Sequence, residues 1–221
     1  MKIFLDTADV PTIAKHFATG LIDGVTTNPT LIMKSHRQPD DVYAELKNMG
    51  LQDISMEVVG HNAAEMVAEA TRLVDLFGDC ATIKVPCTYD GLMACNELSK
   101  KGVRVNVTLI FNSAQAVLAA KAGAKYVSPF VGRLVDNSIH GTECVRFISK
   151  MFREQMVMTQ VLAASLRDVF SVTECLYHGA DVVTMPPAVF EKMYGHVLTD
   201  KGLDLFDRDW AEVQHLLPSE C

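Results

Sequence analysis

Residues 81–108 read ATIKVPCTYDGLMACNELSKKGVRVNVT, and this stretch contains one full period of the pattern that organises the chain. The run Ala81–Val85 is short and rich in β-branched residues, as expected of a buried strand. The segment Gly91–Lys101 has apolar residues at helical spacing, and Gly102 follows it, where a left-handed helix end favours glycine. A second strand-like run, Val103–Thr108, begins directly afterwards. Strand, helix and strand in this order predict parallel pairing through a right-handed crossover.

The same alternation extends along the whole chain. Strands are predicted at Lys2–Leu5, Gly24–Thr27, Asp53–Val59, Ala81–Val85, Val103–Thr108, Tyr126–Val131, Val157–Ala164 and Asp181–Met185. Helices are predicted at Val10–Thr19, Pro39–Met49, Ala63–Phe77, Gly91–Lys101, Ser113–Ala122, Thr142–Gln155, Asp168–His178 and Pro187–Tyr194. About eight β/α units in 221 residues predict the α/β class and a closed (β/α)8 TIM barrel. A doubly wound open sheet is the alternative, but it usually has fewer strands, and no G-x-G-x-x-G motif follows the first strand.

One predicted helix is left over after the eighth unit. It runs from Lys201 to Leu217, and its apolar stripe consists of Leu203, Phe206, Trp210, Val213 and Leu217. Monomers seldom expose an apolar patch of this size, so the stripe must cover either its own barrel or a neighbouring subunit. No linker or low-complexity tract divides the chain, and we therefore expect one barrel domain over residues 1–221.

The composition excludes several classes of partner. A net charge of −7 argues against nucleic acid, which requires clustered Lys and Arg at its phosphates. No stretch approaches the ~18–20 apolar residues of a membrane span, and Asp6 ends the first apolar run too early for a signal peptide. The six cysteines form no C-x-x-C pair and the seven histidines show no ligand spacing. We expect reduced thiols, no metal site and a cytoplasmic location.

Lys84 is the most informative single residue in the predicted barrel. Active residues of such barrels lie at the carboxyl ends of the strands, and Lys84 is near the end of the fourth. Because side chains alternate along a strand, Ile83 and Val85 face the helices while Lys84 enters the interior. Burial disfavours the ammonium form and favours the neutral amine, which attacks a ketone to form a Schiff base. A lysine that forms only a structural ion pair, with Asp6 or Glu57, is the alternative.

Polar side chains also end the neighbouring strands. Asp6 ends the first strand and Glu57 faces inward from the third, so these carboxylates either share proton transfers or form a structural ion network. Further candidates on the second, fifth, sixth and seventh units are Asn28, Asn106, Thr108, Ser128, Phe130 and Ser165. The run 26–29 also fits a plain strand end and turn.

Two arginines follow neighbouring strands. Arg133 lies just after the sixth strand and Arg167 just after the seventh. Two guanidinium groups at a barrel mouth suit a phosphate, because their planar donors bind oxyanions in pairs. Two unrelated surface arginines are the alternative.

Over these same residues the sequence resembles the transaldolase family, in its short subfamily, and the related fructose-6-phosphate aldolases. The matching stretches occur in order from Lys2 to Trp210, nearly the whole chain. They are KIFLDTAD (2–9), DGVTTNPTLI (23–32), SMEVVG (55–60), ATIKVPCTYDGL (81–92), VRVNVTLIFNSAQA (103–116), AKAGAKYVSPFVGRL (120–134), VLAASLR (161–167), ADVVTMP (180–186) and TDKGLDLFDRDW (199–210).

The resemblance implies a reaction without metal or organic cofactor. Lys84 would form a Schiff base with sedoheptulose 7-phosphate, cleavage of the C3–C4 bond would release erythrose 4-phosphate, and the retained dihydroxyacetone unit would pass to glyceraldehyde 3-phosphate, giving fructose 6-phosphate. This is a step of the non-oxidative pentose phosphate pathway.

Each role implied by the resemblance belongs to a matching position. Asp6 would take the proton of the donor's C4 hydroxyl, and Glu57 and Thr108 would hold a water that moves protons during imine formation. The donor hydroxyls would be bound by Asn28, Asn106 and Ser128. The phosphate would be bound by Arg133, Ser165 and Arg167. Asp168 replaces the histidine that often follows this arginine in the family, and we expect it to weaken the phosphate contact of Arg167.

The resemblance also implies an assembly. Short transaldolases form rings of five subunits stacked as decamers, with the terminal helix exchanged between neighbours. We therefore expect residues 200–217 to be an oligomerisation helix, although folding back onto the same barrel remains open.

Two other functions compete with transfer. Fructose-6-phosphate aldolases use the same imine but release free dihydroxyacetone, and they typically carry Gln where this chain has Glu57 and Tyr where it has Phe130. They also have apolar residues at the positions of Asn106 and Ser128, so all four positions here favour the transferase. A non-catalytic sugar-phosphate-binding barrel is the more remote alternative, and borohydride trapping would separate it from either enzyme.

Overall fold

The computed structural model describes residues 1–216 and contains eight parallel strands that close into a barrel. The strands are β1 (Lys2–Asp6), β2 (Gly24–Thr26), β3 (Ile54–Glu57), β4 (Ala81–Pro86), β5 (Val105–Ile110), β6 (Tyr126–Pro129), β7 (Gln160–Ala163) and β8 (Val182–Met185). Each strand pairs with the next in the chain, and β1 pairs with β8 to close the ring. The predicted (β/α)8 TIM barrel is confirmed, and the open-sheet alternative is wrong.

Helices alternate with these strands. They are α1 (Val10–Phe17), α2 (Pro29–Ser35), α3 (Pro39–Asn48), α4 (Ala63–Phe77), α5 (Tyr89–Lys100), α6 (Ser113–Lys121), α7 (Val131–Asp136), α8 (Gly141–Glu154), α9 (Val169–Tyr177), α10 (Pro187–Lys192) and α11 (Val197–Leu216). A 3-10 turn, Gly78–Cys80, joins α4 to β4. Gly102 follows α5 with φ +80°, a left-handed conformation that suits glycine, as predicted.

Two short helices at the mouth of the barrel were not predicted. Pro29 begins α2, and the Asn28 side chain caps that helix by accepting the backbone N–H of Leu31 at 3.0 Å. The alternative of a strand end and turn at residues 26–29 is right for the strand end, since β2 ends at Thr26, but a helix and not a turn begins at Pro29. The second helix, α7, has only six residues, too few for a periodic pattern to emerge.

Five of the eight predicted strands were too long at one or both ends, the first and fourth were one residue too short, and the fifth was displaced by two residues. The third was predicted to reach Val59, but β3 ends at Glu57 and Val59 is exposed. The seventh was predicted from Val157, but β7 begins at Gln160, and Met158 before it is exposed. Apolar residues that flank a strand extend its sequence pattern without joining its hydrogen-bonded ladder.

The barrel wall separates two apolar regions. Outward side chains such as Ile83 and Val85 are fully buried against the helices. Inside, a smaller cluster consists of Phe4, Tyr126, Leu162, Ala164 and Val182. Tyr126 and Val182 begin their strands at the base of the barrel, while Leu162 and Ala164 reach the cavity at the opposite end. The Tyr126 hydroxyl donates to the Asp53 carboxylate at 2.7 Å, which satisfies both polar groups in this buried position. The packed base leaves the carboxyl ends of the strands as the open end of the interior.

The last helix, α11, presents its apolar stripe to solvent. Leu203, Phe206, Trp210 and Val213 are 54%, 67%, 60% and 40% exposed, and Leu217 lies outside the described residues. The alternative in which the stripe covers its own barrel is therefore not the arrangement of this structure. Among residues 1–216, no helix is long and apolar enough to cross a membrane.

Candidate active site

A cavity opens at the carboxyl ends of the strands, where the chemistry of such barrels is located. Its central part, about 110 Å³, is lined by Asp6, Thr26, Asn28, Lys84, Asn106, Ser128, Phe130, Arg133, Leu162, Ala164, Ser165 and Thr184. A more open part of about 350 Å³ shares Asn28, Lys84, Phe130 and Arg133 with it and adds Glu57 and Thr108. Ten of the eleven predicted site residues line this cavity: eight line the central part, and Glu57 and Thr108 line only the outer part.

Lys84 lies inside the barrel, as predicted, and is only 5% exposed. Its Nζ donates to Glu57 Oε2 at 2.7 Å and to the backbone carbonyl of Thr27 at 3.1 Å. Glu57 and Lys84 are register partners on β3 and β4, so the parallel ladder itself places the amine beside the carboxylate. The arrangement supplies an enclosed amine with a proton acceptor in direct contact.

Asp6 enters the same cavity from β1. One of its oxygens, Oδ1, accepts the hydroxyl of Thr26 at 2.7 Å, and Thr26 is the register partner of Asp6 on β2. Burial raises the pKa of the Asp6 carboxyl above its usual range, while the Thr26 hydroxyl and the charge of Lys84 lower it. A carboxyl with a raised pKa can both take up and return a proton near neutral pH.

Thr108 has a buried hydroxyl without a partner. Its side chain is fully buried, and Oγ1 makes no hydrogen bond to the described residues. The next residue, Leu109, has φ +60°, and the pairing of β5 with β6 shifts register between Val107 and Ile110. A buried hydroxyl normally finds a partner, so Thr108 has capacity to bind a water or a substrate oxygen.

The amide of Asn106 is held by two hydroxyls. Ser128 Oγ donates to Asn106 Oδ1 at 2.6 Å, and Asn106 Nδ2 donates to Ser55 Oγ at 3.2 Å. These contacts fix the orientation of the amide at the floor of the cavity. Asn28, two residues after β2, lines the cavity while its Oδ1 caps α2.

The outer rim carries the cation expected for a phosphate. The exposed guanidinium of Arg133 lies over the Phe130 ring, 5.0 Å from its centre, and Phe130 in turn packs edge-on against Phe111. No carboxylate of the described residues lies within ion-pair distance of Arg133. Ser165 lines the same central cavity as Arg133 and has φ +58°. The Gly132 N–H donates to the carbonyl of Ser165 at 3.1 Å, so α7 and the end of β7 are joined at this rim.

Arg167 does not line either part of the cavity. Its guanidinium donates to the Asp136 carboxylate at the end of α7. The carboxylate that pairs with Arg167 is therefore Asp136, while its sequence neighbour Asp168 caps α9 by accepting the backbone N–H of Ser171 at 2.7 Å. The expected weakening of a phosphate contact by Asp168 stays a prediction.

Three inward residues were not predicted. Thr26 on β2 and Thr184 on β8 both line the central cavity, and their hydroxyl oxygens are 2.7 Å apart. Ser55 on β3 supports Asn106 from below. The signal that identifies them is a polar residue at every second position of an otherwise apolar strand, which is the rule that selected Lys84.

The cysteines are free thiols and not disulfides among the described residues. The five cysteines among the described residues are unpaired, and burial raises the pKa of the Cys95 and Cys175 thiols to about 12. Cys221 lies outside the described residues. Within residues 1–216, no group of three or more His, Cys, Asp or Glu side chains is placed to hold a metal ion.

Comparisons with known proteins agree on one family. The family model described as transaldolase/fructose-6-phosphate aldolase matches residues 3–217. The chain is 49% identical over 212 residues to a probable transaldolase of Paracoccus denitrificans (strain Pd 1222), covering 96% of this chain and 97% of that protein. It is 48% identical over 211 residues to a probable transaldolase of Caulobacter vibrioides (strain NA1000 / CB15N), with 96% and 97% covered. A probable transaldolase of Nitrosopumilus maritimus (strain SCM1) is 47% identical over 215 residues, with 97% and 96% covered.

Proposed function

This chain belongs to the transaldolase/fructose-6-phosphate aldolase family, and we propose that it is a transaldolase that transfers a dihydroxyacetone unit through a Schiff base on Lys84. The donor is sedoheptulose 7-phosphate and the acceptor is glyceraldehyde 3-phosphate, with erythrose 4-phosphate and fructose 6-phosphate as products. The observation that carries the proposal is an amine that is 5% exposed, in contact with Glu57 and open to the cavity that Asp6 lines.

Imine formation uses the contact between Lys84 and Glu57. Lys84 attacks the donor ketone as the free amine, so the proton it carries must leave, and Glu57 Oε2 at 2.7 Å is the nearest acceptor. The carbinolamine then loses its oxygen as water, which requires a proton at that oxygen. The unpartnered hydroxyl of Thr108 supports a role with Glu57 in holding the water that carries this proton.

Carbon–carbon cleavage uses Asp6. As the C3–C4 bond breaks, its electron pair moves into the iminium and gives an enamine on Lys84, while the C4 hydroxyl loses its proton to Asp6. The enamine carbon then attacks the aldehyde carbon of the acceptor, which forms a new C–C bond and restores the iminium. Asp6 returns its proton to the alkoxide that results. Hydrolysis of the iminium releases fructose 6-phosphate and restores the amine. The raised pKa of Asp6 suits a group that must both accept and donate.

The shape of the cavity supports the binding roles. A ketose lies with its ketone at Lys84 and its hydroxyls against the amides and hydroxyl of Asn28, Asn106 and Ser128 in the small central part. Its phosphate reaches the open rim, where Arg133 and Ser165 lie. Arg167 is the second predicted cation of this site, and its pairing with Asp136 makes it the weaker contributor.

Release of free dihydroxyacetone, as in a fructose-6-phosphate aldolase, is the second candidate. It requires a proton donor at the enamine, and position 130 is a phenylalanine that cannot donate. Phe130 faces the cavity with Arg133 over its ring, so this part of the site offers an apolar face and a cation. We therefore favour transfer.

We further propose one barrel domain with residues 200–217 as an oligomerisation helix in a decamer of two pentamers. The exposed stripe of α11 supports this, because the described part of the chain leaves it uncovered. The unpaired thiols fit the reducing cytoplasm that we propose as its location.

A coupled assay tests the proposed reaction. Sedoheptulose 7-phosphate is supplied with and without glyceraldehyde 3-phosphate, and erythrose 4-phosphate and free dihydroxyacetone are measured separately. We expect erythrose 4-phosphate to form continuously only when the acceptor is present. Sustained release of dihydroxyacetone without acceptor would establish the aldolase instead. If no product forms with or without acceptor, the result favours a non-catalytic sugar-phosphate-binding barrel.

A further inference from the structure

Two buried threonines form a chain of hydroxyls that ends on Asp6. Thr26 from β2 and Thr184 from β8 lie on either side of β1, and their Oγ1 atoms approach to 2.7 Å. Thr26 Oγ1 is also 2.7 Å from Asp6 Oδ1. Thr26 is 3% exposed and Thr184 is 1% exposed, so bulk water does not compete for these contacts.

The number of hydrogens fixes the direction of this chain. A threonine hydroxyl has one hydrogen to donate, and it can accept from other donors. When Asp6 is ionised it can only accept, so the single hydrogen of Thr26 is directed to Asp6. The contact between the threonines then requires that Thr184 donate to Thr26, because Thr26 has no second hydrogen.

We propose that Thr184 is a positioning residue that acts through Thr26 to stabilise the ionised form of Asp6. A hydroxyl that accepts a hydrogen bond becomes a better donor, since hydrogen bonds in a chain polarise one another. Thr184 makes no hydrogen bond to Lys84 in the described structure, and its effect on Asp6 passes through Thr26. The proposal rests on the proposed function, in which Asp6 must be ionised before it removes the C4 proton.

The same chain serves the protonated state without movement of heavy atoms. A proton that Asp6 takes from the substrate goes to Oδ2, because Oδ1 already accepts the hydroxyl of Thr26. Oδ1 remains an acceptor in the protonated acid but a weaker one, so the chain stabilises the ionised form more than the neutral form. Asp6 is also faced by Lys84 from β4 and Glu57 from β3, and these charges are unchanged by substitutions at the threonines.

Position 184 offers matched variants for a test. Thr184→Val keeps the shape and removes the hydroxyl, and Thr184→Ser keeps the hydroxyl and removes the methyl group. Thr26→Val removes the direct contact with Asp6, and the double variant removes both. The readout is the acidic limb of the pH profile of kcat/KM for transfer, which reports the carboxyl groups that must be ionised in the free enzyme, and of Asp6 and Glu57 only Asp6 is bonded to the chain of hydroxyls.

The expected shifts differ between the variants. Thr26→Val should raise the apparent pKa of the acidic limb by about 1–2 units, because a hydrogen bond to a carboxylate is lost. Thr184→Val should raise it by about 0.2–0.5 unit, the share due to polarisation of Thr26. Thr184→Ser should match wild type, and the double variant should match Thr26→Val, since Thr184 reaches Asp6 only through Thr26.

Two results would overturn the proposal: an acidic limb unchanged in Thr184→Val, or additive shifts in the double variant. If Thr184→Val does not fold, Thr184→Ala replaces it, and infrared titration of the Asp6 carboxyl stretch gives the same comparison without turnover. Wild-type protein that shows no transfer would refute the proposed function. If the wild type is active and Thr184→Val has the same acidic limb, only the positioning role of Thr184 is refuted.

Discussion

Arg133 and Arg167 were predicted as a pair, but the structure separates them, and substitution of each by alanine tests that distinction. Arg133 lies at the rim of the cavity over Phe130 and has no carboxylate partner among the described residues. Arg167 lines neither part of the cavity and pairs with Asp136. If phosphate binds at this rim, Arg133 should account for most of the affinity that the phosphate adds.

The size of the effect follows from these contacts. A charge-assisted hydrogen bond contributes ~1.5–3 kcal/mol, so loss of the Arg133 guanidinium should raise KM for a phosphorylated donor about 10- to 150-fold. Arg167 lies outside the cavity, and its exposed pair with Asp136 is worth only ~0–1 kcal/mol, so its small expected share follows from its position and not from the strength of that pair. Since the structure holds Arg167 outside the cavity, we expect Arg167→Ala to raise KM less than about threefold.

The assay compares fructose 6-phosphate with unphosphorylated fructose as donors to a common acceptor. Arg133→Ala should lose most of the preference for fructose 6-phosphate and leave the KM for fructose nearly unchanged. Arg133→Lys keeps the charge without the planar pair of donors and should fall between alanine and wild type.

The matched variant at position 167 supplies the control. Equal losses for fructose and fructose 6-phosphate in Arg133→Ala would make Arg133 a structural residue. A loss of phosphate preference in Arg167→Ala as large as in Arg133→Ala would show that Arg167 leaves Asp136 on binding and that the structural distinction between the two arginines is wrong.

Three further predictions follow from the site and the last helix. Phe130→Tyr places a phenol beside the enamine and should raise release of free dihydroxyacetone from fructose 6-phosphate at the expense of transfer; product ratios equal to those of wild type would exclude this role for position 130. Burial raises the pKa of Asp6 in the folded protein, so the ionised carboxylate is destabilising at neutral pH. Asp6→Asn should therefore abolish transfer yet raise the melting temperature at pH 8, with the advantage shrinking as the pH falls and wild-type Asp6 becomes protonated; an equal advantage at pH 4 and pH 8 would contradict this. Light scattering should report about ten chains per particle, and deletion from Lys201 onward should give smaller species that aggregate, whereas a stable full-length monomer at micromolar concentration would exclude the helix exchange.

Much of the fold was predictable because the sequence repeats one local pattern, a short apolar strand followed by an amphipathic helix. Each strand is short and apolar and each helix carries one apolar face, so the alternation alone led to eight parallel strands. What the pattern missed are α2 and α7, which are seven and six residues long. A helix of that length buries too few side chains to show clear periodicity, and α10, which is equally short, was predicted because a proline pair marks its start.

The candidate site was predictable where alternation along a strand decides which side chains enter the interior. Lys84, between the outward residues Ile83 and Val85, is the clearest case, and the register of β3 with β4 then places Glu57 beside it. The same rule applied to β8 would have selected Thr184, which is the inward residue before Met185.

Contacts between distant surface segments were not predictable in the same way. The partner of Arg167 is Asp136, 31 residues away, rather than its neighbour Asp168. Asp168 caps the first turn of α9, and this contact depends only on neighbouring residues. The contact of α7 with the end of β7 depends on the closure of the whole barrel. Sequence spacing predicts which charges are present at the rim and cannot predict how they pair.

The most direct test of the account is to trap the Schiff base. The protein is incubated with fructose 6-phosphate, reduced with sodium borohydride, digested and examined by mass spectrometry, with Lys84→Ala and Lys84→Arg treated in parallel. We expect a reduced three-carbon adduct on Lys84 in the wild type, none in either variant, and loss of transfer in both, because arginine stays protonated and cannot form the imine. An adduct on another lysine, or a Lys84→Ala protein that retains a tenth of wild-type transfer, would contradict the central assignment.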